Sequence, residues 1–112
     1  MIAKATARYI RISPRRLRDV IPLVKGKDVR LAVEILRNVN KRATVPLEKV
    51  IRSAVANAKQ KGYEEDNLFI SKIIANPGPI LKRYRAASFG RAVMIRRRTS
   101  HIHVELEQRR KV

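Results

Sequence analysis

The chain opens with an alternation of small apolar and polar residues, which predicts a β-strand over residues 1–12. Ala3, Ala5, Ala7 and Tyr9 fall on one face of this strand, and charged or hydroxyl side chains fall on the other. Alanines on the inner face allow a helix to approach a sheet closely. We therefore expect the strand to lie against a helical layer.

Three stretches with apolar residues at every third or fourth position predict helices. The first begins at Ser13 and Pro14, a good N-cap followed by a good first helical residue, and Pro22 should kink or end it near Val20 or Ile21. The second begins after Asp28. The third lies within residues 41–61, with Thr44 as its candidate N-cap. The predicted apolar stripes are Leu17, Val20, Ile21 and Val24, then Ala32, Ile35, Leu36 and Val39, then Leu47, Val50, Ile51, Ala54, Val55 and Ala58.

The last part of the chain has the pattern of strands. Residues 70–75 are strand-like, and the two prolines at positions 77 and 79 predict a bend, because neither can donate to a ladder. Ser100, Ile102, Val104 and Leu106 alternate with polar residues, which predicts a strand that buries its even positions. The resulting fold class is α+β, with a small antiparallel three-stranded sheet packed on three helices and a long protruding β-hairpin. We expect one domain over residues 1–112, with the hairpin arm at about 76–103.

Charge narrows the class of partner. The 112 residues include 27 Lys and Arg against 9 Asp and Glu, so the formal net charge is +18. Repulsion at this charge opposes compaction, and a polyanion, above all nucleic acid, is the simplest reason to carry it. The acids cluster only at positions 64–66, either as a solvated loop or as a contact to a basic neighbour. There is no cysteine and no apolar run near the roughly 20 residues of a membrane span, so we expect a soluble intracellular protein with no membrane contact.

The arm is the strongest candidate for binding a polyanion. No carboxylate occurs between Asn67 and Val104, and two aromatic residues, Tyr84 and Phe89, are available for stacking on bases. Arginine can also form forked hydrogen bonds with phosphates and base edges. The cations of the arm are Lys82, Arg83, Arg85, Arg91, Arg96, Arg97 and Arg98.

A second set of cations lies near the N-terminus and precedes the first acid, Asp19. Arg15 and Arg16 fall in the first turn of a helix, where the macrodipole disfavours positive charge. Two interpretations remain open: a helix start that faces a phosphate, or an exposed charged turn. The set consists of Lys4, Arg8, Arg11, Arg15, Arg16 and Arg18.

Catalytic chemistry finds little support. His101 and His103 share a strand face, but no third metal ligand or positioned acid accompanies them, so we predict no metal site, no cofactor and no enzyme activity. His101 is either an RNA contact or an ordinary surface residue. Two other function classes remain as alternatives: an architectural DNA-binding protein with a minor-groove arm, which predicts a dimer, and a ribonuclease that uses the two histidines.

Several motifs together resemble those of the large-subunit ribosomal protein 22 family, in its bacterial type. They run in the family's order along nearly the whole chain. The matching residues are Arg11-Ile12-Ser13-Pro14-Arg15-Arg16, Asn40-Lys41, Ser53-Ala54-Val55-Ala56-Asn57-Ala58, Gly78-Pro79, Lys82-Arg83, Gly90-Arg91-Ala92 and Arg98-Thr99-Ser100-His101-Ile102.

The resemblance implies a structural protein of the ribosome that binds large-subunit rRNA during assembly, as a monomer beside neighbouring large-subunit proteins. We expect a cytoplasmic ribosome, with an organellar ribosome as the alternative. The resemblance further implies that the hairpin lines the nascent-peptide exit tunnel near the macrolide site, where its tip would meet the nascent chain. The sequence departs from the family's usual residues at positions 86–89 and at Val93. The implied tip is formed by Leu81, Lys82, Arg83, Tyr84, Arg85, Ala86, Ala87, Ser88, Phe89, Gly90 and Arg91.

Overall fold

The computed structural model describes residues 2–86, 90 and 92–108, with residues 83–86 and 92–97 described by their backbone. Within these ranges the chain forms five strands and three α-helices. The elements, in chain order, are β1 (Ala3–Ile10), α1 (Pro14–Val20), α2 (Val29–Asn38), α3 (Thr44–Gln60), β2 (Leu68–Pro77), β3 (Leu81–Ala86), β4 (Ala92–Arg97) and β5 (Ser100–Gln108).

Strand β5 is the centre of an antiparallel three-stranded sheet with the order β1-β5-β2. Its even residues, from Ser100 to Leu106, are fully buried, as the alternation predicted. Strands β3 and β4 form a separate two-stranded hairpin, in which Leu81 lies opposite Arg97 and Ala86 lies opposite Ala92. The molecule measures 69 × 26 × 15 Å along its principal axes. The predicted fold class, a small sheet on three helices with a protruding hairpin, is confirmed.

Proline and serine define the first helix. The Ser13 hydroxyl accepts a hydrogen bond from the Arg16 backbone N–H at 3.5 Å, and Pro14 occupies the first helical position. The α-helix ends at Val20, and a 3-10 turn over Ile21–Leu23 follows. Pro22 lies inside this turn, which confirms the predicted early end.

Helix α3 buries its whole predicted stripe, but α2 does so only in part: Ala32 and Leu36 are buried, whereas Ile35 and Val39 are half-buried. Asp28 occupies the N-cap position of α2, but its side chain makes no capping hydrogen bond, so the expectation that it caps this helix is met in position only. The prediction for α3 was wrong in one detail: its N-cap is Ala43, and Thr44 is already helical. The Thr44 hydroxyl donates to the Lys41 carbonyl at 2.8 Å and therefore does not cap a free N–H.

The core lies between one face of the sheet and the three helices. Among the described residues, its largest fully buried side chains include Leu17 of α1, Leu36 of α2, Leu47 of α3 and Ile102 of β5. Tyr9 does not join this core, contrary to the alternation of β1. A register shift between Ala7 and Ile10 gives Tyr9 a φ of 59° and leaves it 64% exposed.

Candidate nucleic-acid interface

Strand β1 and helix α1 present the N-terminal basic surface, which we define as Lys4, Arg8, Arg11, Arg15, Arg16 and Arg18. All six residues are exposed. Lys4 and Arg8 alternate with the half-buried alanines of β1, which place them on the sheet face away from the helices. Arg15 and Arg16 follow directly from the capped start of α1. These cations therefore lie exposed on two consecutive elements, β1 and α1, and on the segment between them.

Arg18 has a structural contact as well as an exposed position. Its Nε and Nη2 both donate to the Ala75 carbonyl, at 3.2 and 2.9 Å. This pair of hydrogen bonds joins α1 to the end of β2. Sequence reasoning counted Arg18 only as a cation for RNA, since no local pattern reveals a carbonyl 57 residues away.

Ion pairs are distributed very unevenly over the described part of the chain. They link Arg30 with Asp66, Arg37 and Arg52 with Glu48, Lys59 with Glu65, and Lys72 with Glu105. In residues 2–86, 90 and 92–108, no member of the N-terminal basic surface has a carboxylate partner. Arg30, Arg37, Arg52 and Lys59 of α2 and α3 are thus neutralised, whereas the cations of β1 and α1 are not. The pairs to Glu65 and Asp66 support the interpretation of the acidic loop as a contact to basic neighbours.

The two histidines lie on the same open sheet face and have ordinary structural partners. The Tyr9 backbone N–H donates to His101 Nδ1 at 3.1 Å, and the two rings meet edge to face with centroids 5.1 Å apart. His103 Nδ1 is 2.9 Å from Thr6 Oγ1, and its Nε2 is 3.8 Å from a Glu105 oxygen. Within the described ranges no group of three or more His, Cys, Asp or Glu side chains is placed to hold a metal ion.

The arm leaves the sheet through a narrow neck, residues 77–80 and 98–100. The Gly78 N–H donates to the Thr99 carbonyl at 2.9 Å, and the Thr99 hydroxyl donates to the Pro79 carbonyl at 2.5 Å. Ser100 then donates to the Ile12 carbonyl at 2.6 Å, which ties the neck to the segment after β1. Thr99 and Ser100 are both buried. Their structural role was not predicted from the sequence. Two adjacent hydroxyl residues between a basic run and an alternating strand could have indicated hydrogen bonds that fix the base of the arm.

The predicted arm cations other than Arg91 occupy the hairpin and its base. Lys82 and Arg98 are exposed. Arg83 and Arg85 lie in β3, and Arg96 and Arg97 lie in β4, with Lys82 opposite Arg96 in the register. The predicted tip residues Ala87, Ser88, Phe89 and Arg91 lie outside the described residues. Gly90 is described, and its φ of 72° is the left-handed conformation that favours glycine in a turn.

No helix in the described ranges is both long and apolar enough to cross a lipid bilayer. Phosphate groups suit the cationic surfaces because each Lys or Arg that meets a phosphate releases a counterion.

Comparison with known proteins gives a consistent result. Residues 5–107 match the model of a family described as "Ribosomal protein L22p/L17e". A large ribosomal subunit protein uL22 from Sulfurihydrogenibium sp. (strain YO3AOP1) is 50% identical over 107 residues, covering 96% of this chain and 92% of that protein. The uL22 of Desulfatibacillum aliphaticivorans is 48% identical over 108 residues, and the match covers 96% of this chain and 100% of that protein. That of Pelotomaculum thermopropionicum (strain DSM 13744 / JCM 10971 / SI) is 48% identical over 111 residues, covering 98% of each chain.

Proposed function

The chain belongs to the ribosomal protein L22p/L17e family and is a structural constituent of the large ribosomal subunit, not an enzyme, and we propose that it binds large-subunit rRNA through two surfaces. One is the N-terminal basic surface, and the other is the hairpin arm. The whole chain acts as one rRNA-binding unit, with the arm at about 76–103. The single observation that carries this proposal is that, in the described part of the chain, no member of the N-terminal basic surface pairs with a carboxylate, whereas Arg30, Arg37, Arg52 and Lys59 all do.

Charge distribution supports RNA over a protein partner for these surfaces. A protein surface that only had to stay soluble would mix both signs of charge, as α2 and α3 do here. The N-terminal basic surface has no acid in its sequence before Asp19, and the arm has none between Asn67 and Val104. A backbone of regularly spaced phosphates is the partner that satisfies such a surface along its whole length.

The arm supports a second, finer part of the proposal. Members of the family are expected to place this hairpin along the nascent-peptide exit tunnel, so we assign its tip, at about 81–91, to the tunnel wall near the macrolide site. The 69 Å length of the molecule gives an arm enough reach to cross rRNA layers between the outside of the subunit and its interior. The nascent chain and neighbouring large-subunit proteins are then the remaining partners, and the protein acts as a monomer in the cytoplasmic ribosome.

A salt titration tests the rRNA proposal. The test variant removes three cations of the N-terminal basic surface by Lys4→Gln, Arg8→Gln and Arg11→Gln. The control variant combines Arg30→Gln and Arg52→Gln, which remove cations that are already paired with carboxylates. Binding of each purified protein to transcribed large-subunit rRNA is measured by filter retention between 50 and 400 mM KCl. For every phosphate that a variant no longer binds, the slope of log K against log salt should fall by about 0.7–0.9.

The expected result is a lower slope for the first variant and an unchanged slope for the control. Equal slopes for the wild type and both variants would show that this surface does not meet phosphates. The architectural DNA alternative is tested alongside by the mass of the free protein, since that alternative requires a dimer with two arms.

A further inference from the structure

A groove of about 500 Å³ runs between β1 and the N-terminal half of α3. Its apolar lining includes Ala7 and Ile10 from the strand and Val45, Pro46 and Val50 from the helix. Val45 is largely exposed although it is a large apolar residue. The groove therefore offers apolar surface to solvent beside the N-terminal basic surface.

The groove lies between the C-terminal part of β1 and the N-terminal half of α3. At the other end of this pair, side chains of α3 and of its C-cap residue contact β1 and the residue before it directly. There, the Asn57 side-chain amide donates to the Lys4 carbonyl at 2.8 Å, and Lys61 Nζ donates to the Ile2 carbonyl at 2.9 Å. These contacts occupy the outer edge of the first part of β1. The register shift after Ala7 interrupts the strand soon afterwards, so only a short stretch of free edge remains. A peptide that adds to β1 as a further strand would have little backbone to pair with.

Three cations line this groove: Arg11, Arg42 and Lys49. All three are exposed, its lining contains no acid, and none of the three has an ion-pair partner within the described ranges. Arg42 directly precedes Ala43, the N-cap of α3, whose first turn has no acidic residue, and Lys49 lies in the second turn. The macrodipole makes this end of the helix positive, so cations here are favourable only if an anion joins them.

The opposite flank of α3 provides an internal comparison. A groove of similar volume, about 480 Å³, is also lined by cations, but they are paired. Arg37 and Arg52 share Glu48 at 3.1 and 2.9 Å, and Lys59 pairs with Glu65 at 3.4 Å. The same helix thus separates a groove with neutralised cations from one whose cations have no negative partner in the described part of the chain.

We propose that the groove between β1 and α3 holds a single unstacked nucleotide of the rRNA. The base lies on the apolar surface formed by Val45 and Pro46, and the adjoining phosphates are bound by Arg11, Arg42 and Lys49. Single-stranded and bulged nucleotides can enter such a groove because their bases are free to leave the helical stack. The inference rests on the proposed rRNA function and names one place where a base, and not only backbone, is bound.

The absence of cysteine in the chain allows a direct test with single-cysteine variants. Ser53 lines the proposed site, and Ala56 lines the neutralised groove three residues further along the exposed side of α3. Ser53→Cys and Ala56→Cys are each labelled with a photoreactive azidophenacyl group and bound to transcribed large-subunit rRNA. After irradiation, crosslinked nucleotides are mapped by primer extension. Separate portions of the labelled proteins that have not been irradiated are assembled into large subunits and then irradiated.

The expected result is one dominant crosslinked nucleotide from position 53 and little or none from position 56. Retained rRNA binding without a crosslink from position 53 would overturn this inference while leaving the proposed function intact. Loss of all rRNA binding by the unlabelled wild type would overturn both. A crosslink from position 53 to another protein in assembled subunits, with none to rRNA, would show that the groove is a protein-docking site.

Affinity gives an independent readout. Arg42→Gln combined with Lys49→Gln removes two phosphate contacts, which lowers affinity about 25-fold to 60-fold at 0.1 M salt, from a slope of about 0.7–0.9 per contact. Arg37→Gln combined with Arg52→Gln removes the same charge from the neutralised groove and should leave affinity nearly unchanged. Equal losses in the two double variants would mean that net charge, not this groove, determines binding.

Discussion

Replacing Gly78 by Ala should destabilise the protein through the neck of the arm. A Cβ at this position would lie 2.6 Å from Thr99 Oγ1 and 3.3 Å from two atoms of the His101 ring. Ordinary contacts between heavy atoms are about 3.5–4.0 Å, so the hydroxyl or the backbone must move by roughly 1 Å. The backbone of Gly78 is outside the left-handed region, so an alanine meets no dihedral strain and the whole effect comes from this contact.

The magnitude follows from the hydrogen bond that Thr99 makes. Its hydroxyl is buried and donates to the Pro79 carbonyl at 2.5 Å, so rotating it away leaves that carbonyl without its donor. Breaking a buried hydrogen bond costs about 1–3 kcal/mol, and a backbone shift that relieves overpacking costs a similar amount. Alanine also lowers the entropy of the unfolded chain, which stabilises the folded protein by about 0.4–1 kcal/mol. The difference of these two effects spans about 0–2.6 kcal/mol, and from the middle of each range we expect the free energy of unfolding to decrease by about 1.3 kcal/mol.

Urea denaturation followed by far-UV circular dichroism measures this decrease, and a double-mutant cycle locates its cause. Thr99→Ala removes the hydroxyl that the added methyl group would meet, so Gly78→Ala should cost much less in that background than in the wild type. Asn76→Ala, an exposed change on the same strand, serves as the control and should alter stability little. An equal effect of Gly78→Ala in both backgrounds, or none in either, would refute the close contact as the reason for glycine here.

Three further substitutions test other contacts by the same denaturation assay. Arg18→Ala breaks the hydrogen bonds between α1 and β2 and should cost about 1 kcal/mol, because the side chain is partly exposed; no change would mean that Arg18 serves only the interface. Ser100→Ala leaves the Ile12 carbonyl without its donor and should cost about 1–3 kcal/mol; a neutral result would indicate that another group replaces the hydroxyl. Leu17→Ala removes a fully buried side chain of α1 and should cost about 2–5 kcal/mol. Leu23→Ala, at an exposed position of the following turn, is its control, and equal costs at the two sites would contradict the described core.

Local chemistry explains which parts of the fold were predictable. A serine before a proline starts α1, and a second proline ends it, because the ring removes a backbone donor wherever it stands. The alternation in β5 identified its buried face because successive side chains of a strand point to opposite sides. These signals involve neighbouring residues only, so they survive without knowledge of the tertiary structure.

Long-range pairing was not accessible in this way. The order β1-β5-β2 joins the two ends of the chain, and no local pattern says which strands become neighbours. The bulge that exposes Tyr9 also depends on pairing with β5 and on the contact to His101. Likewise, the list of cations came from the sequence, but the separation into paired and unpaired cations depends on how the acids of α3 and the loop are placed in the fold.

The most direct test is whether rRNA covers the N-terminal basic surface and the arm in the assembled subunit. Lysine acetylation, measured by mass spectrometry on the free protein and on assembled large subunits, reports this coverage residue by residue. Lys4 and Lys82 are exposed in the free protein, and we predict that both become unreactive in the subunit, while Lys59, paired with Glu65, retains more of its reactivity. Full reactivity of Lys4 and Lys82 in assembled subunits would contradict binding of rRNA by these two surfaces.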